Sequence, residues 1–170
     1  LLSDLESLEK RVPGLVKRGQ QGDKESKIGA SVLGKALELL REGKPARLTE
    51  PKDEEEARVF HQAQLLTAKP VLYVCNVDEG SADKGNAFSD LVAERAKRDN
   101  AKSVVISAQI ESEIALLDQA ERAEFLETLG LHEPGLNRLI REAYSLLGLQ
   151  SYFTVGPKEA RAWTIHVGDT

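Results

Sequence analysis

The feature that most constrains this 170-residue chain is a short run, Val71-Leu72-Tyr73-Val74-Cys75, held between Pro70 and Asn76. The run does not alternate apolar with polar. An extended segment of this kind needs cover on both faces, which is the situation of a strand inside a parallel sheet. A second run, Val104-Val105-Ile106, ends at Ser107, and the residues from about 86 to 98 between the two read as a helix. Strand, helix, strand implies parallel pairing through a right-handed crossover, and so an α/β fold. Helical stretches are expected near 111–129 and 135–148, divided by Gly130 and by Pro134-Gly135. Residues 151–155 and 161–165, separated by Gly156-Pro157, read as two strands of a further small domain.

Upstream the periodicity is different. Leu1, Leu5, Leu8, Val12 and Leu15 step by four, three, four and three, which makes an a/d heptad seam. Pro13 interrupts it, removes one helical hydrogen bond and is expected to bend the helix. Gly19-Gln20-Gln21-Gly22-Asp23 reads as a tight reversal, with Asp23 a helix N-cap. A second seam follows through Ala30, Leu33, Leu37 and Leu40, ending near Gly43-Lys44-Pro45. Two helices of about 20 residues, each about 30 Å long, joined so closely must run antiparallel. A third helix is expected over residues 49–66, capped by Thr49 or Glu50 with Pro51 in its first turn.

Composition sets limits. Hydrophobic residues make up 41% and charged residues 30%, which fits a water-soluble globular protein, and the net charge of -5 argues against wholesale nucleic-acid binding. The lone Cys75 allows no internal disulfide, which points to a reducing, cytoplasmic setting. No apolar run approaches the ~20 residues that span a bilayer, so no membrane role is expected. The chain opens on Leu1 inside a helical pattern and closes after a strand-like run, so both ends read as cut from a longer protein, whose remainder is then a partner.

Ligands of open α/β sheets bind beyond the carboxyl ends of the strands. Here those ends carry Asn76-Val77-Asp78-Glu79 and Ser107-Ala108-Gln109. The pair resembles the Asn-Lys-x-Asp and Ser-Ala-x motifs of Ras-like GTPases. Asn76 matches the Asn, Glu79 stands at the guanine-reading Asp position, and Ser107-Ala108 matches the second motif. Val77 replaces the Lys that covers the base. Guanine offers a carboxylate two donors, whereas adenine offers an acceptor at N1 and one amino donor. Weakened guanine selection is therefore expected, with adenine read partly by backbone near Val77. Asn-Val-Asp-Glu-Gly is equally the composition of an ordinary turn, and by itself carries no function.

Longer stretches narrow the choice. Residues 68–79, Glu133-Pro134-Gly135-Leu136-Asn137-Arg138-Leu139-Ile140-Arg141, and residues 152–165 together resemble the YchF family, the Obg-like ATPases, and the likeness covers nearly the whole chain. The resemblance implies the C-terminal half of a P-loop GTPase-like parallel sheet domain, with an antiparallel helical hairpin (coiled coil) insert and the first strands of a TGS domain. It divides the chain at 1–48, 49–148 and 149–170. It implies ATP or GTP with Mg²⁺ as cofactor in the intact protein, a preference for ATP, and association with the ribosome and its RNA through the hairpin tip and TGS domain. Carried over by position, Asn76, Val77 and Glu79 line the adenine site, and Ser107, Ala108 and Gln109 close it.

No Gly-x-x-x-x-Gly-Lys-Ser/Thr occurs in the sequence, so these residues by themselves are expected to bind ATP weakly, if at all, and not to hydrolyse it. No catalytic residue and no metal ligand is assigned. Between Lys10 and Ile28 the cations Lys10, Arg11, Lys17, Arg18, Lys24 and Lys27 face only Asp23 and Glu25, a local excess that reads either as a solvated helix face or as an RNA-contacting tip. His61, His132 and His166 have no metal-site spacing. Cys75 is expected to be a small buried residue, Trp163 to be strand core, and Glu111, Glu113, Glu121 and Glu124 to lie on exposed faces. Two further functions stay open at this point: an RNA-binding adaptor without hydrolysis, and a true GTPase with a drifted base motif.

Overall fold

A computed structural model of the chain describes residues 1–169; Thr170, the last residue of the expected third segment, lies outside the described residues. The chain divides into two compact units at Pro70 and Val71.

The first unit holds α1 (Leu2–Gln20), α2 (Lys24–Arg41) and α3 (Glu54–Gln62). Leu8 and Val12 of α1 meet Val32, Leu33, Ala36, Leu37 and Leu40 of α2 in one buried cluster with Ala46, Ala63 and Leu65. Of the expected α2 seam, Leu33, Leu37 and Leu40 are buried and Ala30 is half-buried, while Ser26, Gly29, Val32 and Ala36 are buried beside them. Helix α1 continues unbroken through Pro13. The reversal needs a small residue at Gly19, where a Cβ would lie 3.0 Å from the Cα of Lys27. Asp23 caps α2 by position, but its carboxylate takes the Ser26 hydroxyl rather than a backbone N–H.

The third helix is much shorter than 49–66. Residues 46–48 form a 3-10 turn, Thr49 is buried and extended, and Asp53 caps α3 by accepting the Glu56 N–H at 2.8 Å. Asp53 therefore stops the helix from starting earlier, since a capping residue keeps extended backbone. Gln64, at φ +53°, turns the chain just past the helix end, in a region that disfavours further helix. Two buried carboxylates tie the unit together. Asp4 accepts the N–H groups of Leu66 and Thr67 at 3.0 and 2.7 Å and the Thr67 hydroxyl at 2.6 Å. Glu56 accepts the Ser31 hydroxyl at 2.7 Å, the Lys52 N–H at 2.9 Å and Lys35 Nζ at 3.2 Å.

The second unit runs β1 (Leu72–Asn76), α4 (Ala87–Arg98), β2 (Lys102–Ile106), α5 (Ala108–Ile114), α6 (Gln119–Thr128), α7 (Gly135–Leu147), β3 (Leu149–Val155) and β4 (Ala160–His166). Strands β1 and β2 pair in parallel, Leu72 opposite Lys102 and Asn76 opposite Ile106; β3 and β4 pair antiparallel, Leu149 opposite His166. Asn86 and Ser89 form a reciprocal capping box on α4.

Four expectations are corrected here. The stretch 111–129 is two helices, because Asp118 and Glu121 form a capping box that restarts the chain at Gln119. Strand β1 is not buried on both faces: it has one partner strand among the described residues, and Val74 is 46% exposed. Cys75 is accordingly half-buried. Trp163 is 42% exposed, with its indole N–H on the Thr154 hydroxyl at 2.9 Å, because every residue of the hairpin from Gln150 to Ala160 is open to solvent.

Candidate nucleotide-base site

The site is built by the parallel register. With Asn76 opposite Ile106, the ladder extends one step past β1, where the Val77 N–H donates to the Ile106 carbonyl at 2.9 Å. The chains then separate. The gap between them is bridged by a side chain: Asn76 Oδ1 accepts the Ala108 N–H at 2.9 Å. Asparagine suits this position because its short carboxamide reaches across to the neighbouring main chain while keeping an N–H₂ group for another partner.

Beyond Val77 the first tip folds into a 3-10 turn, Glu79–Ser81, closed by Ser81 N–H on the Asp78 carbonyl at 3.1 Å and Ala82 N–H on the Glu79 carbonyl at 3.2 Å. Gly85 follows at φ +79°, where a Cβ would lie 2.3 Å from Ser89 Oγ, so only glycine fits. The second tip passes from β2 into α5 at Ser107, whose carbonyl accepts the Glu111 N–H at 3.0 Å. Ser107 is 3% exposed and its hydroxyl has no partner among the described residues. Buried polar groups are nearly always paired, so this hydroxyl is an exception, as are Thr49 Oγ1 and Arg138 Nε among the described residues.

The expected residues fall into two groups. Asn76 and Ala108 are joined directly, and Val77 and Ser107 flank that bond. Glu79 and Gln109 are exposed and, among the described residues, make no side-chain hydrogen bond to the others, Gln109 giving its carbonyl to the Ser112 hydroxyl at 2.7 Å. A cavity of about 300 Å³ runs beside β1 and is lined by Tyr73, Cys75, Asn76, Val77, Asn86 and Phe88 among others; it does not reach Glu79 or the second tip. Burial pushes the Cys75 thiol up.

Two residues that bond the start of α7 to the neighbouring elements were not expected from the sequence to do so. Glu111, expected on an exposed face, is half-buried and accepts the Gly135 N–H at 2.6 Å. Arg138 places Nη2 3.4 Å from the Ala82 carbonyl. The available signal was that α7 opens on Pro134-Gly135 with no capping side chain of its own, so its first N–H groups require an acceptor from elsewhere.

Lys10, Arg11, Lys17, Arg18, Lys24 and Lys27 are all exposed. Two of them also have partners within the unit. Arg11 donates to the Ala63 carbonyl at 3.3 Å and Lys24 pairs with Glu55 at 3.5 Å. Arg18 lies near enough to Asp23 to help the Ser26 hydroxyl hold that carboxyl below its usual range. Lys10 and Lys17 sit two helical turns apart on one row. Among the described residues no cluster of three or more His, Cys, Asp or Glu could hold a metal ion, and no helix is long and apolar enough to cross a membrane.

No family model matches the chain. The curated relatives do. Over 169 residues the chain is 46% identical to the ribosome-binding ATPase YchF of Haemophilus influenzae, and over 170 residues 44% identical to that of Bacillus subtilis, with 99% of this chain covered in each case. Nearly the whole chain is thus similar to YchF proteins. It spans about half the length of the curated relatives it matches, 46% in each of these two. The structure of the Schizosaccharomyces pombe YchF GTPase aligns with a TM-score of 0.84 at 25% identity, over 99% of this chain and 46% of that one. The names differ over the nucleotide, ATPase for the bacterial YchF proteins and GTPase for the Schizosaccharomyces pombe one.

Proposed function

We propose that this chain supplies purine recognition, and a ribosome-facing helical hairpin, to a cytoplasmic ATPase of the YchF type. The observation that carries the reading is the 2.9 Å bond from the Ala108 N–H to Asn76 Oδ1, which holds two strand tips side by side at the carboxyl end of a parallel sheet. In this reading residues 1–48 are the hairpin insert, 49–148 the back of the nucleotide domain, and 149–170 the start of a TGS domain.

The residues present fit a purine. The bond at their base sets the backbone of Val77 and Ala108 side by side, with the Glu79 carboxylate further along the first tip and Ser107 buried behind the second. The Val77 N–H is engaged by Ile106, so Val77 offers a base its carbonyl, which suits the adenine amino group. Glu79 stands where a carboxylate would take both guanine donors, but on an exposed turn with no neighbour fixing it. An unfixed carboxylate loses side-chain entropy on binding, which weakens guanine selection. The intact protein is therefore expected to favour ATP. Equilibrium titration with ATP and GTP checks this, and a large GTP preference would establish the GTPase alternative.

Phosphate binding lies outside these residues' chemistry. The sequence has no Gly-x-x-x-x-Gly-Lys-Ser/Thr, and Mg²⁺ finds no ligand cluster among the described residues. Mg²⁺ bound with ATP supplies charge neutralisation at the phosphates; this chain's part is to hold and orient the base.

The hairpin reading rests on the local cation excess. Lys10, Lys17, Arg18 and Lys27 remain open to a phosphate backbone, while Arg11 and Lys24 are engaged within the unit. Reversing Lys17 and Arg18 to Glu is expected to weaken ribosome co-sedimentation and lessen its salt dependence. Unchanged binding leaves those charges as a solvated helix face.

A further inference from the structure

The stretch Glu133 to Arg141 is distinctive in sequence, yet none of it belongs to the two strand tips. Its place in the second unit supplies a use. Helix α7 begins there, and its first turn touches the element behind each tip. Glu111, one turn into α5 behind Ser107-Ala108, reaches up to the Gly135 N–H at 2.6 Å. Arg138 reaches the carbonyl of Ala82, the residue whose own N–H closes the Glu79 turn at 3.2 Å. Ala82 is 2% exposed, so the contact is made from within the fold. Arg138 Nε is buried with no partner among the described residues, and the Ala82 carbonyl is what the guanidinium's Nη2 meets on this loop.

Gly135 has a steric reason as well. A Cβ there would lie 3.0 Å from Glu111 Oε1 and 3.1 Å from Ile106 Cγ2, against the last residue of β2. Glu133 and Arg141 pair across the same turn and steady it. One helical turn is thus bonded to both loops that carry the candidate base site, on the protein side of each.

Resting on the base-site reading above, we propose that Arg138 and the Glu111–Gly135 pair are positioning residues for purine recognition: the first turn of α7 braces the Glu79 loop and the Ser107-Ala108 loop at the separation a purine needs. They touch no base themselves. Their loss leaves phosphate binding intact and lets the two loops drift, so the base-dependent part of affinity falls. Misplacing a recognition loop by a fraction of an ångström is enough for such a loss.

The test compares Mg²⁺-ATP with Mg²⁺-tripolyphosphate, which has the phosphates without the base, by equilibrium titration of the intact protein. Arg138→Met keeps the aliphatic stem and removes the guanidinium. It is expected to weaken ATP about tenfold, the equivalent of ~1.4 kcal/mol, while tripolyphosphate stays within about twofold. Arg138→Lys keeps a cationic donor on a shorter stem and is expected to recover part of the ATP affinity. Gly135→Ala, which must push against Glu111 and Ile106, follows the same split and serves if the first variant fails to fold. Unchanged ATP affinity in both variants overturns the proposal. So does equal weakening of ATP and tripolyphosphate with a lowered melting temperature, which is the mark of a merely structural role. A wild-type protein that binds ATP no tighter than tripolyphosphate refutes the base site itself, and is told apart from the other results because it needs no variant.

Discussion

Asn76 does at the residue scale what the backbone can no longer do past the end of β1. The ladder stops with Val77 on Ile106, and the carboxamide carries the connection one step further, to the Ala108 N–H. Asn76→Ala removes that step. It is expected to weaken ATP binding about tenfold or more, with a melting temperature close to wild type because Asn76 is exposed. Glu56 shows the opposite kind of residue, one whose bonds serve the fold. Its carboxyl is held down at about 2, first by the Lys52 N–H and then by the Ser31 hydroxyl, with Lys35 adding to them against the effect of burial. A carboxyl more acidic folded than unfolded stabilises above its unfolded value, and that stabilisation is lost as pH falls from about 4.5 towards 2. Acid unfolding followed by circular dichroism should show this loss, and Glu56→Gln should flatten it. Glu56→Ala, which strands two neutral donors and a lysine, is expected to cost about 2 kcal/mol at neutral pH. Asn76 was legible because it sits in a short motif at a strand end. Glu111 and Arg138 were not, because their partners lie 24 and 56 residues away, and no local pattern encodes such a pairing.

At the scale of elements, periodicity was readable wherever one face decides the packing. Helix α1 shows this: its heptad seam buries Leu8 and Val12 and half-buries Leu5 and Leu15. Helix α2 packs against both α1 and α3, so its buried face widens to include Val32 beside Leu33 and its seam cannot be assigned from spacing alone. Leu33 is 1% exposed at that junction. Leu33→Ala is expected to cost about 2–5 kcal/mol and to lower the melting temperature of the hairpin, as read by thermal circular dichroism. The break between α5 and α6 went unread for a different reason. It contains neither Gly nor Pro; its signal is Asp118 with Glu121 three residues on, a capping box inside what otherwise reads as continuous helix. The same holds for α3, where Asp53, not Thr49, takes the first turn's N–H. In both places a local side-chain cap overrode a weak propensity for longer helix.

For the whole molecule, the parallel pair β1–β2 and its crossover helix were legible in two apolar runs and their spacing. Their degree of burial was not, because cover depends on chain that a run of five residues does not describe. Val74, Phe88 and Leu91 remain 46, 78 and 63% exposed in the second unit, and the chain spans 46% of its YchF relatives' length. The proposed base-reading motif is likewise local, four residues at one strand end and three at the other, whereas the likeness to YchF proteins extends over nearly the whole chain. The account depends on a purine lying between the two tips. Its most direct test is a crystal structure of the intact protein with a non-hydrolysable ATP analogue and Mg²⁺. The adenine ring is predicted to lie against Asn76 and Val77 on one side and Ser107-Ala108 on the other, with its amino group on the Val77 carbonyl. A ring bound elsewhere, with the Asn76–Ala108 gap filled by protein or solvent alone, would contradict it.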